Sequence, residues 1–304
     1  MKQFLKRLYS GGGYGWRIAR IMALLCAGLI VVLMAFEDSF IYFPAKYPEG
    51  FWSVESIPVR EGEYAPVIED CAFTASDGVR LHGWYCSPHR KTGGKLAPVP
   101  AQSVLLWFHG NAGNVSHRYD MIRTLMQIPV NVFIIDYRGY GKSEGAPSEQ
   151  GIYADAQAAW NYLATERRIA PERIIIFGKS LGGVAAIDLA SKVEPAGLIV
   201  QSSFTSASDM AAAILPIYPR FFMRSKMDSK RKIASVRCPK LFIHSRADEV
   251  VPYELGRKLF EAAPEPKQFY EVAGAPHNST YVVGGKNYLE ALRKFINSCA
   301  VPRS

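Results

Sequence analysis

The chain shows no sign of a metalloprotein, a repeat protein or a nucleic-acid binder. Its five cysteines, Cys26, Cys71, Cys86, Cys238 and Cys299, lack the paired spacing of a metal site. Cys71 and Cys86 fall in neighbouring strand-like segments where they could meet, but they are expected to stay unbridged. No internal repeat is visible, and no nucleic-acid motif accompanies the net charge of +9. That charge directs attention to an acidic partner or an anionic membrane surface. Acid is absent from residues 1–20, which carry Lys2, Lys6, Arg7, Arg17 and Arg20. Charge of either sign is absent from Ile21 to Phe36, IMALLCAGLIVVLMAF.

A bilayer core needs about 20 apolar residues, and roughly 17 suffice. Trp16, Ile18 and Ala19 lengthen the apolar stretch, with Arg17 and Arg20 able to snorkel. Leu33 and Ala35 form no small-x-small cleavage site, so an uncleaved single transmembrane helix is expected rather than a signal peptide. Bulky Leu25 before Cys26 argues against a lipoprotein. Basic residues before the helix and Glu37-Asp38 after it predict a cytoplasmic N-terminus. The rest of the chain would then lie on the periplasmic, lumenal or extracellular side. The expected organisation is a basic N-terminus (1–20), an anchor (21–36), a membrane-exit segment (37–64) and one α/β domain (65–300).

Of the 304 residues, 49% are hydrophobic and 21% charged, enough for one large core. Phe40 to Trp52, FIYFPAKYPEGFW, holds two prolines and reads as an extended segment whose aromatics sit at the interface or on the domain. Cys71 to Ala75 and Val79 to Cys86 alternate in strand fashion around Ser76-Asp77-Gly78, a hairpin signal. Ser87 to Gln102, rich in Pro, Gly and Lys, reads as a surface loop. Buried strands are expected at Ser103–Phe108, Val130–Ile135, Ile174–Phe177, Gly197–Gln201, Leu241–His244 and Gln268–Val272. Tyr153–Glu166 and Asn287–Ser298 have helical patterns. Strands alternating with helices predict a mainly parallel twisted sheet with helices on both faces, and sites in such sheets lie beyond the strands' carboxyl ends.

Gly178-Lys179-Ser180-Leu181-Gly182 follows Ile174–Phe177 and precedes a small-residue helical stretch. A serine between strand and helix sits on a sharp turn that lifts its hydroxyl above the sheet edge, and the flanking glycines let the backbones pass. Such a hydroxyl needs a base, and the base an orienting acid. Of the six histidines, His277 follows the last strand in Gly274-Ala275-Pro276-His277-Asn278 and could project over that edge. His244 lies within a strand and reads as packed. His109 precedes a glycine loop and reads as shaping it, and His82 and His89 come too early. For the acid, Asp248 follows the strand ending at His244, with Glu249 as fallback; Asp136, before Arg138-Gly139, reads as loop bracing. Two donors must face the oxyanion. The Leu181 amide is one, and the loop His109-Gly110-Asn111-Ala112-Gly113-Asn114 supplies the other, expected at Asn111. That loop lacks the Lys-Ser/Thr of a phosphate-cradling P-loop. The sequons at Asn114 and Asn278 lie in these same loops, where a glycan would block the site.

HGNAGN, DYRGYGKSEGAPSE, GKSLGG, the strand leading to Asp248, and GAPHN together resemble the α/β-hydrolase superfamily. The resemblance covers about residues 65–300. It is nearest to the membrane-associated subgroup related to abhydrolase domain-containing proteins 12, 13 and 17, often described as prolyl-aminopeptidase-like or esterase-like. It implies the α/β-hydrolase fold, a Ser180–Asp248–His277 triad, and no metal or cofactor. It leaves the substrate open among lipid, ester and thioester. The predicted anchor makes cytosolic protein depalmitoylation a poor fit.

The insertion at about 204–238 should form a small cap. It carries Tyr218, Phe221, Phe222 and Met223 beside Arg220, Arg224, Lys226, Lys230, Arg231, Lys232 and Arg237, with Asp228 the acid within that run, 218–237. It reads either as a solvated basic face or as a surface docking on anionic lipid. The function expected is a membrane-anchored serine hydrolase cleaving carboxylic esters or thioesters. A peptidase with the same machinery and a silent binding protein are the alternatives.

Overall fold

A computed structural model describes residues 14–214 and 223–299. Its frame is a sheet of nine strands: β2 (Tyr64–Thr74), β3 (Arg80–Thr92), β4 (Lys95–Pro98), β5 (Ser103–Phe108), β7 (Val130–Asp136), β8 (Ile174–Lys179), β9 (Gly197–Gln201), β10 (Lys240–His244) and β11 (Lys267–Glu271). The order is β11-β10-β9-β8-β5-β7-β3-β2, with β4 paired to β3 at the edge. Every pair from β11 to β7 is parallel, and the β2–β3–β4 meander joins antiparallel. Two short strands, β1 (Phe43–Pro44) and β6 (Ala112–Gly113), pair apart from the main sheet.

The central strands are apolar throughout because helices cover both faces, so neither face meets water. All six residues of β8 are buried. On one face, helices Glu149–Asn161, Leu181–Ala190 and Tyr253–Ala262 pack Ile152, Val184, Ile187, Leu255 and Leu259 against the sheet. On the other, helices Tyr119–Leu125 and Thr280–Cys299 bring Ile122, Leu125, Leu292 and Phe295. Each such side chain, fully buried, stabilises the fold by about 1.5–3 kcal/mol.

The predicted hairpin is present: Ala75 N donates to Val79 O and Gly78 N to Ala75 O. Cys71 faces one core and Cys86 the other, and both are free. Their registers explain it: Cys86 opposes Ile68, an odd number of residues from Cys71, so the two thiols leave opposite faces. Ser87 to Gln102 is not the expected loop. β3 runs on to Thr92, turns at Gly93-Gly94, both at positive φ, and returns as β4. Pro98 sits on the edge strand β4, where a missing N–H is tolerated, while Pro88 lies in β3 opposite Pro66 and accepts from Val99 N.

The predicted anchor is a helix that begins earlier than expected and spans Tyr14–Ala35. Residues 15–35 are long and apolar enough to cross a membrane. After a short second helix, Glu37–Ile41, the segment expected to leave the membrane packs onto the domain. Tyr42, Ala45 and Val54 are buried there. The prediction that Phe40 to Trp52 is non-helical holds from Tyr42 onward, where β1 begins its pairing with β6. The basic residues Lys2, Lys6 and Arg7 lie outside the described residues.

Candidate active site

Because β8, β9, β10 and β11 run parallel, the residues that follow them share one edge of the sheet. Ser180 follows β8 and adopts φ 54° and ψ −121°. That region costs a residue with a side chain on the order of 1–3 kcal/mol. Neighbours hold the turn: Ser180 N donates to Gln201 O at 2.8 Å, and the Ser203 hydroxyl donates to Ser180 O at 2.9 Å. The flanking glycines are required by space. A Cβ at Gly182 would run into the Phe108 carbonyl, and one at Gly178 into the Gly182 carbonyl. Leu181 opens the helix that follows, so its N–H is one of the amides without an intrahelical acceptor.

Asp248 and His277 meet as the chain order suggested. His277 Nδ1 lies 2.8 and 2.9 Å from the two Asp248 oxygens. Val250 N and Val251 N donate to Asp248 Oδ1 at 3.0 and 2.8 Å. Burial works against the Asp248 anion, but hydrogen bonds from His244, His277 and Val251 outweigh it and hold the carboxyl well below the usual range. Glu249 instead accepts the His277 backbone N–H at 2.9 Å. His244 is packed as expected, with Nε2 3.0 Å from Val251 O and 3.4 Å from Asp248 Oδ2.

Asn111 shares a pocket with Ser180 and Leu181. The loop passes close to the serine: a Cβ at Gly110 would sit 3.6 Å from Ser180 Cβ. His109 shapes this loop as expected. Its Nδ1 approaches Gly110 O at 2.6 Å and its ring packs between Tyr137 and Tyr140. Burial, aided by the Arg118 charge, lowers its imidazole to about 3, so it is neutral near pH 7. Lys179, buried next to the serine and also facing Arg118, is pushed down to about 8. Asp136 braces as expected, accepting from Val115 N at 2.9 Å and pairing with His82 at 2.8 Å. Asn114 is buried and donates to Ala45 O and Glu49 O, which leaves its side chain no room for a glycan.

The pocket beside Ser180 has a volume of about 440 Å³, within the range of about 300–1,000 Å³ common for small-molecule sites. Its walls are almost wholly apolar and come from three places: the sheet edge that carries Ser180, the stretch from the end of the N-terminal helix into β1, and the insertion after β9. The edge contributes Ser180, Leu181, Asn111 and Val250; the first segment contributes Leu33, Phe40, Ile41 and Phe43; the insertion contributes Phe204, Met210, Met223 and Met227.

Sequence comparison agrees with this architecture. A protein of Arabidopsis thaliana described as alpha/beta hydrolase domain-containing protein WAV2 is 34% identical over 292 residues, covering 89% of this chain and 91% of that one. The chain belongs to the α/β-hydrolase family. Within this hydrolase, residues 99–232 match the family described as serine aminopeptidase, S33. The uncharacterized protein Rv2307c of Mycobacterium tuberculosis is 36% identical over 285 residues, covering 93% of this hydrolase and 95% of the relative. In fold, the hydrolase is similar to the Pyrococcus furiosus esterase Pf2001, with a TM-score of 0.65 at 22% identity over 84% of this chain and 98% of that one.

Several residues that hold the hydrolase's site together escaped the sequence reading. Ser203 and Gln201 fix the Ser180 turn, and the polar run Gln201-Ser202-Ser203 closing an apolar strand was the available signal. Asn111 is held by the segment before it in the chain. Its Nδ2 donates to Ile41 O at 3.1 Å, and its carbonyl accepts from Phe43 N at 3.0 Å and from the Tyr140 hydroxyl at 2.7 Å. In the insertion Arg224, Lys226, Lys230, Arg231 and Arg237 are exposed, as a solvated basic face requires, but the apolar residues expected beside them do not all join it. Met223 is buried and lines the pocket instead of facing outward, while Tyr218, Arg220, Phe221 and Phe222 lie outside the described residues. Arg224 pairs with Asp38, Arg231 with Asp228 and Lys232 with Asp188, so these charges are partly neutralised within the protein.

Proposed function

We propose that this protein is a serine hydrolase cleaving carboxylic esters or thioesters through an acyl-enzyme on Ser180. The observation that carries the reading is the strained Ser180 turn on the same sheet edge as the Asp248–His277 pair. Asp248 accepts from His277 Nδ1–H and fixes the tautomer whose Nε2 can accept a proton. Ser180 Oγ attacks the carbonyl carbon while its proton passes to His277 Nε2. The Leu181 and Asn111 amides donate to the oxyanion as the C–O or C–S bond to the leaving group breaks. His277 returns the proton to the departing alcohol or thiol, and water then repeats the sequence to free the acid. No residue here is assigned to a metal or cofactor.

The N-terminal helix is read as a membrane anchor, with residues 1–20 in the cytoplasm and the domain on the opposite side. The basic residues before the helix and Glu37-Asp38 after it support that orientation. A reporter after residue 304 that works only in the cytoplasm would reverse it. Kinship with the subgroup of abhydrolase domain-containing proteins 12, 13 and 17 rests on the motifs and on this helix.

A peptidase using the same groups needs a pocket acid to capture a substrate amine. Among the described residues the acid lining the pocket is Glu37, and its oxygens already accept Arg224 N at 2.9 Å and Ser225 N at 2.7 Å, which favours esters. The deciding experiment is labelling of the full chain with a fluorophosphonate probe. Wild type should label and Ser180→Ala should not. Absence of labelling in folded wild type would instead favour a silent binding protein.

A further inference from the structure

The pocket beside Ser180 is not enclosed by the α/β domain alone. The N-terminal helix is exposed along most of its length, and burial begins near its end, where Leu33 joins the pocket wall. Phe40, Ile41 and Phe43 continue that wall directly to Asn111, which Ile41 O and Phe43 N hold from two sides. Glu37 is buried at 4% exposure, and its carboxylate binds the amides of Arg224 and Ser225, closing the insertion over the same pocket. A single stretch of about ten residues, counted from the helix end, therefore lines the pocket, holds Asn111 and ties down the cap.

We infer that the pocket is an acyl channel opening along the N-terminal helix, and that its substrate is the long-chain acyl ester of a bilayer lipid. The inference rests on the ester-hydrolase and anchor readings and adds substrate class and route to them. A wall continuous with a bilayer-spanning helix lets an acyl chain pass from lipid to Ser180 without crossing water. The almost unbroken apolar lining suits a hydrocarbon, and each methylene it takes from water favours binding by roughly fourfold.

The test uses the full chain in phosphatidylcholine bilayers, with butanoyl and hexadecanoyl p-nitrophenyl esters. Wild type should prefer the hexadecanoyl ester. Ala211→Trp, at a residue that also lines the pocket and would fill it, and Phe40→Asp, which charges its wall, should each lower hexadecanoyl turnover on the order of a hundredfold, the cost of excluding three to four methylenes. Butanoyl turnover should fall less than hexadecanoyl turnover, by a factor of roughly ten or more, because a short chain reaches less of the wall, and Leu96→Asp, on the edge strand β4, should change neither. Equal loss for both esters, or a wild type confined to short esters, would overturn the channel. Binding of cis-parinaric acid to Ser180→Ala protein separates this inference from the hydrolase reading. Binding that Ala211→Trp removes supports the channel even without turnover, and no binding refutes it even if short esters are cleaved.

Discussion

Two buried aspartates stand beyond the carboxyl ends of strands on the same sheet edge, Asp136 at the end of β7 and Asp248 after β10. Each accepts backbone amides, and each lies 2.8 Å from the Nδ1 of a histidine. The difference lies at the far side of the ring. His82 Nε2 is taken by a second carboxylate, Asp70, at 3.2 Å, so both nitrogens are occupied and the imidazole is a clamp between strands. His277 Nε2 makes no protein hydrogen bond among the described residues, which leaves it free to exchange a proton. An Asp–His pair is therefore not a catalytic signature until the second nitrogen has been accounted for.

The largest effect that sharpens this contrast is expected at the bases themselves. His277→Gln should cut ester turnover by roughly 10⁴- to 10⁶-fold, as loss of a triad member does. His82→Gln should leave the turnover of folded protein within about tenfold and instead lower the unfolding midpoint. If His82→Gln also abolished turnover in folded protein, the clamp reading would fail. The acids come next. Asp248→Asn should cost about 10⁴-fold through the wrong tautomer. Asp136→Asn should destabilise by about 1–3 kcal/mol, since Val115 N and His82 lose a charged acceptor. Chemical denaturation with parallel assays on the folded fraction separates the two outcomes.

A smaller effect follows from the depressed Asp248 carboxyl. A group held below its unfolded value of about 3.9 contributes stability that is complete above that pH and is lost as pH falls toward its folded value. Wild type should thus lose more stability than Asp248→Asn between pH 5 and about pH 3, measured by urea unfolding. The opposite ordering would mean that the carboxyl is not stabilised as an anion. The smallest expected change is Glu37→Gln. It keeps an acceptor for only one of the Arg224 and Ser225 amides, which bind different carboxylate oxygens, and turns an NH2 toward the other, at a cost of about 1–2 kcal/mol seen as a lower thermal midpoint.

Much of the frame was legible because its signals are local. The apolar run of β8 broken at Gly178, the glycines around Ser180 and the position of GAPHN after the last strand each express a short-range steric or hydrophobic rule. Parallel strands then bring distant motifs to one edge, so placing Ser180, Asp248 and His277 on the same edge of the sheet needed only their order in the chain. The hairpin completed by β4 was missed because edge strands accept the proline and glycine that elsewhere mark loops. Asp248 prevailed over Glu249 by a one-residue offset of a turn, which no periodicity encodes.

What the sequence determined by itself was the Ser180 turn, the α/β layering and a helix apolar enough to span a bilayer. Tertiary structure alone decided that residues 37–47 belong to the site. Their contacts with Asn111, Gly141, Arg224 and Ser225 join parts of the chain separated by tens to nearly two hundred residues. Such contacts exist only in the folded sheet, whose edge leaves carbonyls and amides to be paired, because a buried polar group must find a partner wherever the fold supplies one.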